Sequence, residues 1–316
     1  MTRRHPAALA AAALLLTLAG CSGGGGDDDG PDPDEPTAAP SGTANPAPSG
    51  SASASGTSSA SPSPTPGNDT APSGSPTGGR PTTAARWQPA PRTAWQWQLD
   101  GRVDTGVDVP VYDIDGFEND AATVAALHAK GRKVICYVNV GAYEDYRSDA
   151  KSFPKTVLGG ANGWKGESSL DIRRTDVLLP LMAKRFDMCR DKGFDGVEPD
   201  LVENYRADTG FQISAGDQLA YNKAIAKLAH DRGLAVGLKN DLDQIPALVG
   251  DFDFAVNEQC AEFDECDALK PFITASKAVF HVEYKTPNAQ YCAKSRQIGL
   301  SSMTKHLELD AWRQPC

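Results

Sequence analysis

The chain has 316 residues, with 41 acidic side chains against 31 Lys and Arg, a formal net charge of −10. That balance argues against a nucleic-acid partner, which calls for a basic face. It fits a cationic substrate, although moderate acidity is also an ordinary solubility feature. Residues 1–20 read as an export signal: Arg3 and Arg4 form the charged start and 7–18 the apolar core. The run is too short for a membrane span. It leads into Leu18-Ala19-Gly20-Cys21, the form of a bacterial lipobox, so Cys21 is expected as the lipidated mature N-terminus. Residues 21–85 are rich in Gly, Ser, Pro, Thr and Ala, with an acidic patch over 27–35 and no apolar periodicity. Such a segment does not bury enough surface to offset its ordering entropy. It reads as a disordered tether. The expected address is the outer face of the bacterial membrane, touched only through the lipid.

Residues 86–316 remain as one folded domain, long enough for a large core. Strand-like apolar runs fall at 95–99, 109–114, 133–140, 193–200, 235–240, 254–259, 278–284 and 298–303. Helical patterns lie between most of them, at 120–130, 175–192, 216–232, 242–249, 264–276 and 288–295. Three helices run up to a glycine, Gly131, Gly193 or Gly233, the usual residue beyond a helix C-terminus. Repeated βα units imply a parallel sheet, and eight such strands in one domain of this size predict an α/β fold, a (β/α)8 barrel. The connection 100–108 is too short for a proper helix, so the barrel is expected to be irregular at its first unit. An open doubly wound sheet is the rival architecture, but its glycine-rich phosphate loop is missing.

Six cysteines lie in this domain: Cys136, Cys189, Cys260, Cys266, Cys292 and Cys316. An even number in an exported domain suggests disulfides. The expected pairing is Cys136–Cys189, Cys260–Cys266 and Cys292–Cys316. For the first pair, side-chain parity supports the choice: if Tyr137 and Asn139 face into the barrel, Cys136 faces the helical layer that carries Cys189. No cysteines show CxxC metal spacing, so zinc is not expected.

The run Gly193-Phe194-Asp195-Gly196-Val197-Glu198-Pro199-Asp200 is an apolar strand that ends in acid. Glu198 and Asp200 share one side of it. A second acid, Glu258, ends the strand at 254–259. Barrel enzymes build their sites at C-terminal strand ends, and the polar residues gather there on every strand. Asp113 and Asp115 end the second, Tyr137 and Asn139 the third, Lys239 and Asn240 the fifth, Gln259 follows Glu258 on the sixth, and Glu283 and Tyr284 end the seventh. A ligand pocket at that face is the reading that packing does not explain.

GFDGVEPD with Asn204-Tyr205 downstream, KVICYVNVGAYE and AVNEQC resemble the glycoside hydrolase family 114 domain. The resemblance spans roughly Trp87 to Tyr284. It implies a (β/α)8 barrel free of metal and organic cofactor. It also implies endo-cleavage of α-1,4-linked galactosamine-containing polysaccharide, with the two catalytic carboxylates at Asp200 and Glu258. Glycosidic cleavage needs an acid for the leaving oxygen and a second carboxylate to attack the sugar or activate water. Asp200 is taken as nucleophile or stabilising carboxylate and Glu258 as general acid/base, with the reverse split left open by the sequence.

Plainer roles stand beside these. Glu198 pairs with Lys239 inside the barrel, since buried charge is usually paired. Asp195 shapes a turn. Asp113 and Asp115 cap the next helix or contact a substrate amine. Trp97, Tyr137 and Tyr143 pack in the core or stack on sugars. His281 is a hydrogen-bonded barrel residue. The rival functions are a barrel glycosidase for a different exopolysaccharide, a non-catalytic glycan-binding lipoprotein, and an aldolase-like lyase using Lys239. A monomer is expected.

Overall fold

The computed structural model of the protein describes residues 86–316; the expected signal, Cys21 and the 21–85 tether lie outside the described residues. The elements in chain order are β1 Trp95–Gln98, β2 Val111–Asp115, α1 Ala121–His128, β3 Lys133–Asn139, β4 Ala142–Glu144, β5 Leu158–Ala161, β6 Glu167–Leu170, α2 Thr175–Lys192, β7 Gly196–Asp200, α3 Ala215–His230, β8 Ala235–Lys239, α4 Ile245–Leu248, β9 Phe254–Glu258, α5 Lys270–Thr274, β10 Val279–Glu283, α6 Asn288–Ile298, β11 Ser301–Thr304 and β12 Gln314–Pro315.

The main sheet runs β1-β2-β3-β7-β8-β9-β10-β11, all parallel, with β12 antiparallel on its last edge. This is the expected (β/α)8 architecture. Its first unit is irregular, as the short 100–108 connection foretells: no helix separates β1 from β2. No ladder joins β1 to β11 among the described pairings. The Trp95 indole N–H donates to the Ser301 carbonyl at 2.8 Å, Leu99 N–H to the Leu309 carbonyl at 2.9 Å, and Arg313 to the Trp95 carbonyl at 3.0 Å. Side chains and the C-terminal segment therefore span that seam.

Strand parity sorts the core into two layers. Trp95, Trp97, Val111, Ile135, Phe254, Val256, Phe280, Val282 and Met303 pack inside the curled sheet. Trp95 stacks on Trp97 at 5.7 Å and tilts against Phe280 at 4.8 Å. Cys136, Val138, Val197, Val236, Leu238 and Val279 face the helices instead. Gly237 lies on the inner parity because a Cβ there would come within 2.3 Å of the Phe254 ring. The inner layer fills the barrel floor, so the polar ends of the strands become the only inward side chains above it.

The boundaries of the sequence reading shift in places. Ile298 closes α6 rather than opening a strand, because Gly299 takes the left-handed backbone (φ 106°) that ends the helix. The patterns at 242–249 and 264–276 each become a short 3-10 turn followed by one α turn. The segment between β3 and α2 carries an antiparallel sheet, order β4-β6-β5, that the sequence reading does not contain. Its run Leu-Gly-Gly-Ala-Asn-Gly-Trp-Lys-Gly-Glu-Ser-Ser-Leu has no apolar alternation to betray a strand.

Buried ion pairs hold that insert. Arg147 forks onto Asp115 at 2.7 and 3.0 Å and reaches Glu144 at 2.8 Å. Arg185 of α2 reaches Asp149 at 2.8 Å and Glu144 at 3.3 Å. Fork-to-carboxylate geometry is directional, so the insert is fixed over the β2–β3 end of the barrel.

The three disulfides are Cys136–Cys189, Cys260–Cys266 and Cys292–Cys316, the expected pairs. The first joins β3 to α2 across 53 residues of chain. Replacing both its cysteines by Ala should cost about 4 kcal/mol through restored unfolded-state entropy. Urea unfolding of the double variant checks this; a loss below about 1 kcal/mol would contradict it.

Candidate active site

Parallel register places the strand ends side by side. Tyr137 pairs with Glu198, Asn139 with Asp200, Lys239 with Val256 and Glu258 with Val282. Asp113, Tyr137, Glu198, Asp200, Lys239, Glu258 and Tyr284 all carry the inward parity and meet above the Trp97 ring.

Lys239 is the hub. Its Nζ lies 2.8 Å from Asp200 Oδ1, 2.9 Å from Glu258 Oε2 and 3.7 Å from Glu198 Oε1, and 5.1 Å above the Trp97 ring. Burial works against its charge, but the carboxylates of Asp200, Glu258 and Glu198 outweigh burial and hold the ammonium well above its usual value. Lys239 is therefore a permanent cation, which fits counter-ion and not amine nucleophile.

Each outer carboxylate has a phenol as its second partner. Tyr137 Oη donates to Asp200 Oδ2 at 2.9 Å, and Tyr284 Oη donates to Glu258 Oε1. Burial, reinforced by the adjacent carboxylate, pushes both phenols well above their usual values, so they stay protonated donors. Asn240, in the left-handed backbone region (φ 47°), accepts the Glu258 backbone N–H at 2.9 Å through its side-chain oxygen. That bond fixes the end of β9.

Asp113 and Glu198 form a deeper pair, both fully buried. As two anions neither carboxylate has a hydrogen-bond donor. Burial first, then each other's charge, raises Glu198 well above its usual value, so Glu198 keeps a proton and donates it to Asp113. Burial pushes Asp113 up to about 7 even against the lowering effect of Glu198 and Lys239.

A carboxyl whose folded value exceeds its unfolded one stabilises the fold below the unfolded value and loses that contribution as pH rises through the folded value. For Asp113 the window runs from about 4 to about 7. Wild-type stability to urea is expected to fall between pH 5 and pH 8. Burial also pushes Glu167, Glu203 and Asp241 up to about 7, so Asp113→Asn should reduce that slope without abolishing it; an unchanged slope would assign the pH dependence to those groups.

The remaining sequence candidates divide. Asp115 caps the turn after β2, accepting the Phe117 and Glu118 N–H groups at 2.8 and 2.9 Å, and is saturated by Arg147. Asn139 accepts the Gly141 and Ala142 N–H groups and shapes the exit from β3. Gln259 turns away from the cluster toward Glu262 at 2.6 Å. Glu283 requires correction as a substrate contact. It carries the outward parity of β10, is fully buried, and accepts Ala261 N–H at 2.7 Å and His281 at 2.9 Å. The same parity puts His281 on the outer face, bonded to Ser302. Asp195 binds Lys133, His128 and the Val134 N–H at the opposite end of the sheet. Trp97 is barrel floor, and Tyr143 packs edge-on against Phe153.

A cleft of about 1220 Å³ opens beside the cluster and meets it at Tyr137. One wall is the 99–105 loop and the other is the insert, with Glu144, Tyr146, Arg147, Trp164 and Glu167 on it. Apart from Glu144, which closes KVICYVNVGAYE, none of those insert residues is marked in the sequence; the available hint is that 141–174 fits no βα unit.

The profile described as glycoside-hydrolase family GH114 matches residues 77–316. Among solved structures, Ega3 of Aspergillus fumigatus, determined in complex with galactosamine, is 40% identical, covers 74% of this chain and 98% of its own, and has a TM-score of 0.68. The glycoside hydrolase domain of PelA from Pseudomonas aeruginosa is 15% identical over 70% of this chain and 97% of its own, TM-score 0.56, a likeness of fold. Among curated protein sequences none matches the chain. The barrel, its acid-lined mouth and the extent of these matches agree: the chain belongs to glycoside hydrolase family GH114 and is a glycoside hydrolase.

Proposed function

We propose that the protein cleaves α-1,4-linked galactosamine-containing polysaccharide within the chain, using Asp200 and Glu258. The observation that carries this is the single Lys239 ammonium shared by both carboxylates. Asp200, bonded by Lys239 at 2.8 Å and by the Tyr137 hydroxyl at 2.9 Å, suits the nucleophile. Glu258, bonded by Lys239 and by the Tyr284 hydroxyl at the end of β9, takes the acid/base role. Ega3 was determined with galactosamine and shares 40% identity, which supports an amino-sugar polymer as substrate.

Spacing supports retention of configuration. The nearest oxygens of Asp200 and Glu258 cannot be farther apart than their two bonds to Nζ laid end to end, 2.8 and 2.9 Å. That bound admits the carboxyl separation of about 5–5.5 Å at which retaining enzymes work. The test is reducing-end release from partly deacetylated galactosaminan by the full chain, with the first-formed anomer read by proton NMR. An α-anomer is expected. A β-anomer would overturn the nucleophile assignment, and no cleavage would overturn the substrate.

The same reading places the enzyme outside the cell, lipidated at Cys21 and held off the membrane by residues 21–85. Cys21→Ser is expected to move the protein from the membrane fraction to the medium; retention in membranes would refute lipid anchoring.

A further inference from the structure

The cleft beside the carboxylate cluster is lined by seven acidic and three basic residues. Its acids are not equivalent. Asp115 and Glu144 are matched by Arg147, and Arg185 adds to Glu144. Glu118 lies 3.7 Å from Arg147.

Glu167 stands apart. It is 6% exposed and lies on β6 of the insert, with both oxygens occupied: Oε1 accepts the Tyr146 hydroxyl and Oε2 the Asn162 amide, each at 2.9 Å. No Lys or Arg lies in ion-pair range of it among the described residues. The cleft's own cations do not serve: Arg147 is spent on Asp115 and Glu144, and Arg102 and Lys165 are exposed and form no ion pair among the described residues. Burial pushes the carboxyl up to about 7 against the Asn162 hydrogen bond, and the nearby Glu144 charge adds to the rise. Neutral donors orient a carboxylate but do not neutralise it, and a buried charge without a counter-ion is costly.

The orientation is built. Asn162 also accepts the Trp164 N–H at 3.1 Å through its other side-chain atom, and the Glu167 N–H donates to the Trp164 carbonyl at 3.2 Å. One small hairpin therefore fixes an acid and an aromatic ring in the same cleft. The cleft's inner end is Tyr137, whose hydroxyl already holds Asp200. Tyr137 thus links Asp200 to the cleft that this wall lines.

We propose that Glu167 is a specificity-determining residue for the reaction described above: it receives the free ammonium of a galactosamine unit bound beside the cleavage point, with Trp164 against the sugar ring. This rests on the amino-sugar reading of the substrate. An ammonium supplies the missing positive charge and its N–H donors. An acetamide is neutral and sets its carbonyl oxygen and methyl group against the carboxylate, so the subsite selects deacetylated units.

The experiment uses the full chain, wild type and Glu167→Gln, on two galactosaminans, one fully deacetylated and one largely N-acetylated. Gln keeps oxygen and nitrogen where the carboxylate was but carries no charge. On the deacetylated polymer KM is expected to rise about tenfold, the size of one lost charge-assisted contact, with kcat within about twofold. On the acetylated polymer neither constant should move. Glu167→Asp should recover part of the KM. Equal losses on both polymers would mean a structural role and overturn the proposal, as would an unchanged KM on the deacetylated one. If wild type cleaves neither polymer, the reading of the reaction fails separately. Calorimetric binding of the same two polymers then decides for Glu167: loss of a preference for free amines in Glu167→Gln supports the proposal, and a retained preference overturns it.

Discussion

Asp200→Asn and Glu258→Gln are each expected to lower kcat/KM on galactosaminan by about a thousandfold or more, with the melting temperature little changed. The chemistry sets the size. Loss of an attacking carboxylate removes a covalent route, and loss of a positioned acid alone costs roughly 10²–10⁴-fold. Both changes remove one anion from a Lys239 site that keeps other carboxylates, so the ammonium stays paired. The two variants should differ with substrate. An activated aryl glycoside needs little help at the leaving oxygen, so it should recover much of the rate in Glu258→Gln but not in Asp200→Asn. Recovery in the reverse pattern would exchange the two roles, and full activity in either variant would remove that residue from the mechanism.

The second large effect is on stability. Lys239 is 4% exposed and is the only cation bonded to Asp200 among the described residues, and it serves Glu258 and Glu198 as well. Lys239→Met fits the space but strands the acids, and a broken buried pair costs about 3–5 kcal/mol. The pH dependence identifies the cause. Lys239 lowers the proton affinity of both Asp113 and Glu198. Without it both rise further above their unfolded values. Their contribution is then fully present below about pH 4 and lost progressively as pH rises through neutrality. The deficit against wild type should be small near pH 4.5 and largest at pH 8 by urea unfolding. A deficit independent of pH would mean that Lys239 contributes by packing on Trp97 alone.

These effects share a structural origin. The aromatic floor of Trp95, Trp97, Phe254 and Phe280 excludes water beneath the cluster. Charges above it interact in a lower dielectric than at the surface, so one lysine can order several carboxylates. The insert then adds a wall on one side, held by Arg147 and Arg185. A chain with the same barrel and no insert would keep the cluster and lose the Glu167 side of the cleft.

Much of this was written in the chain itself. Alternation of apolar strand runs with helical patterns determined the (β/α)8 architecture, because each run has one way to bury its apolar face in a repeated βα unit. Acid at the ends of apolar strands marked Asp113, Glu198, Asp200 and Glu258, since a buried strand carries no carboxylate without cause. Cysteine parity on β3 placed the first disulfide. What tertiary structure alone decided was of two kinds. The direction of a side chain past a strand's end depends on the local backbone: Gln259, just beyond β9 in the left-handed region (φ 62°), turns to Glu262 and away from the cluster. The insert's small sheet carries no apolar period; it is seated by Phe153, Val157 and Leu170 in the core and oriented by ion pairs between residues such as Asp115 and Arg147, 32 positions apart. Local pattern reports burial within one element. It does not report which distant charges meet, so Glu167 and its cleft emerge only when the chain is folded.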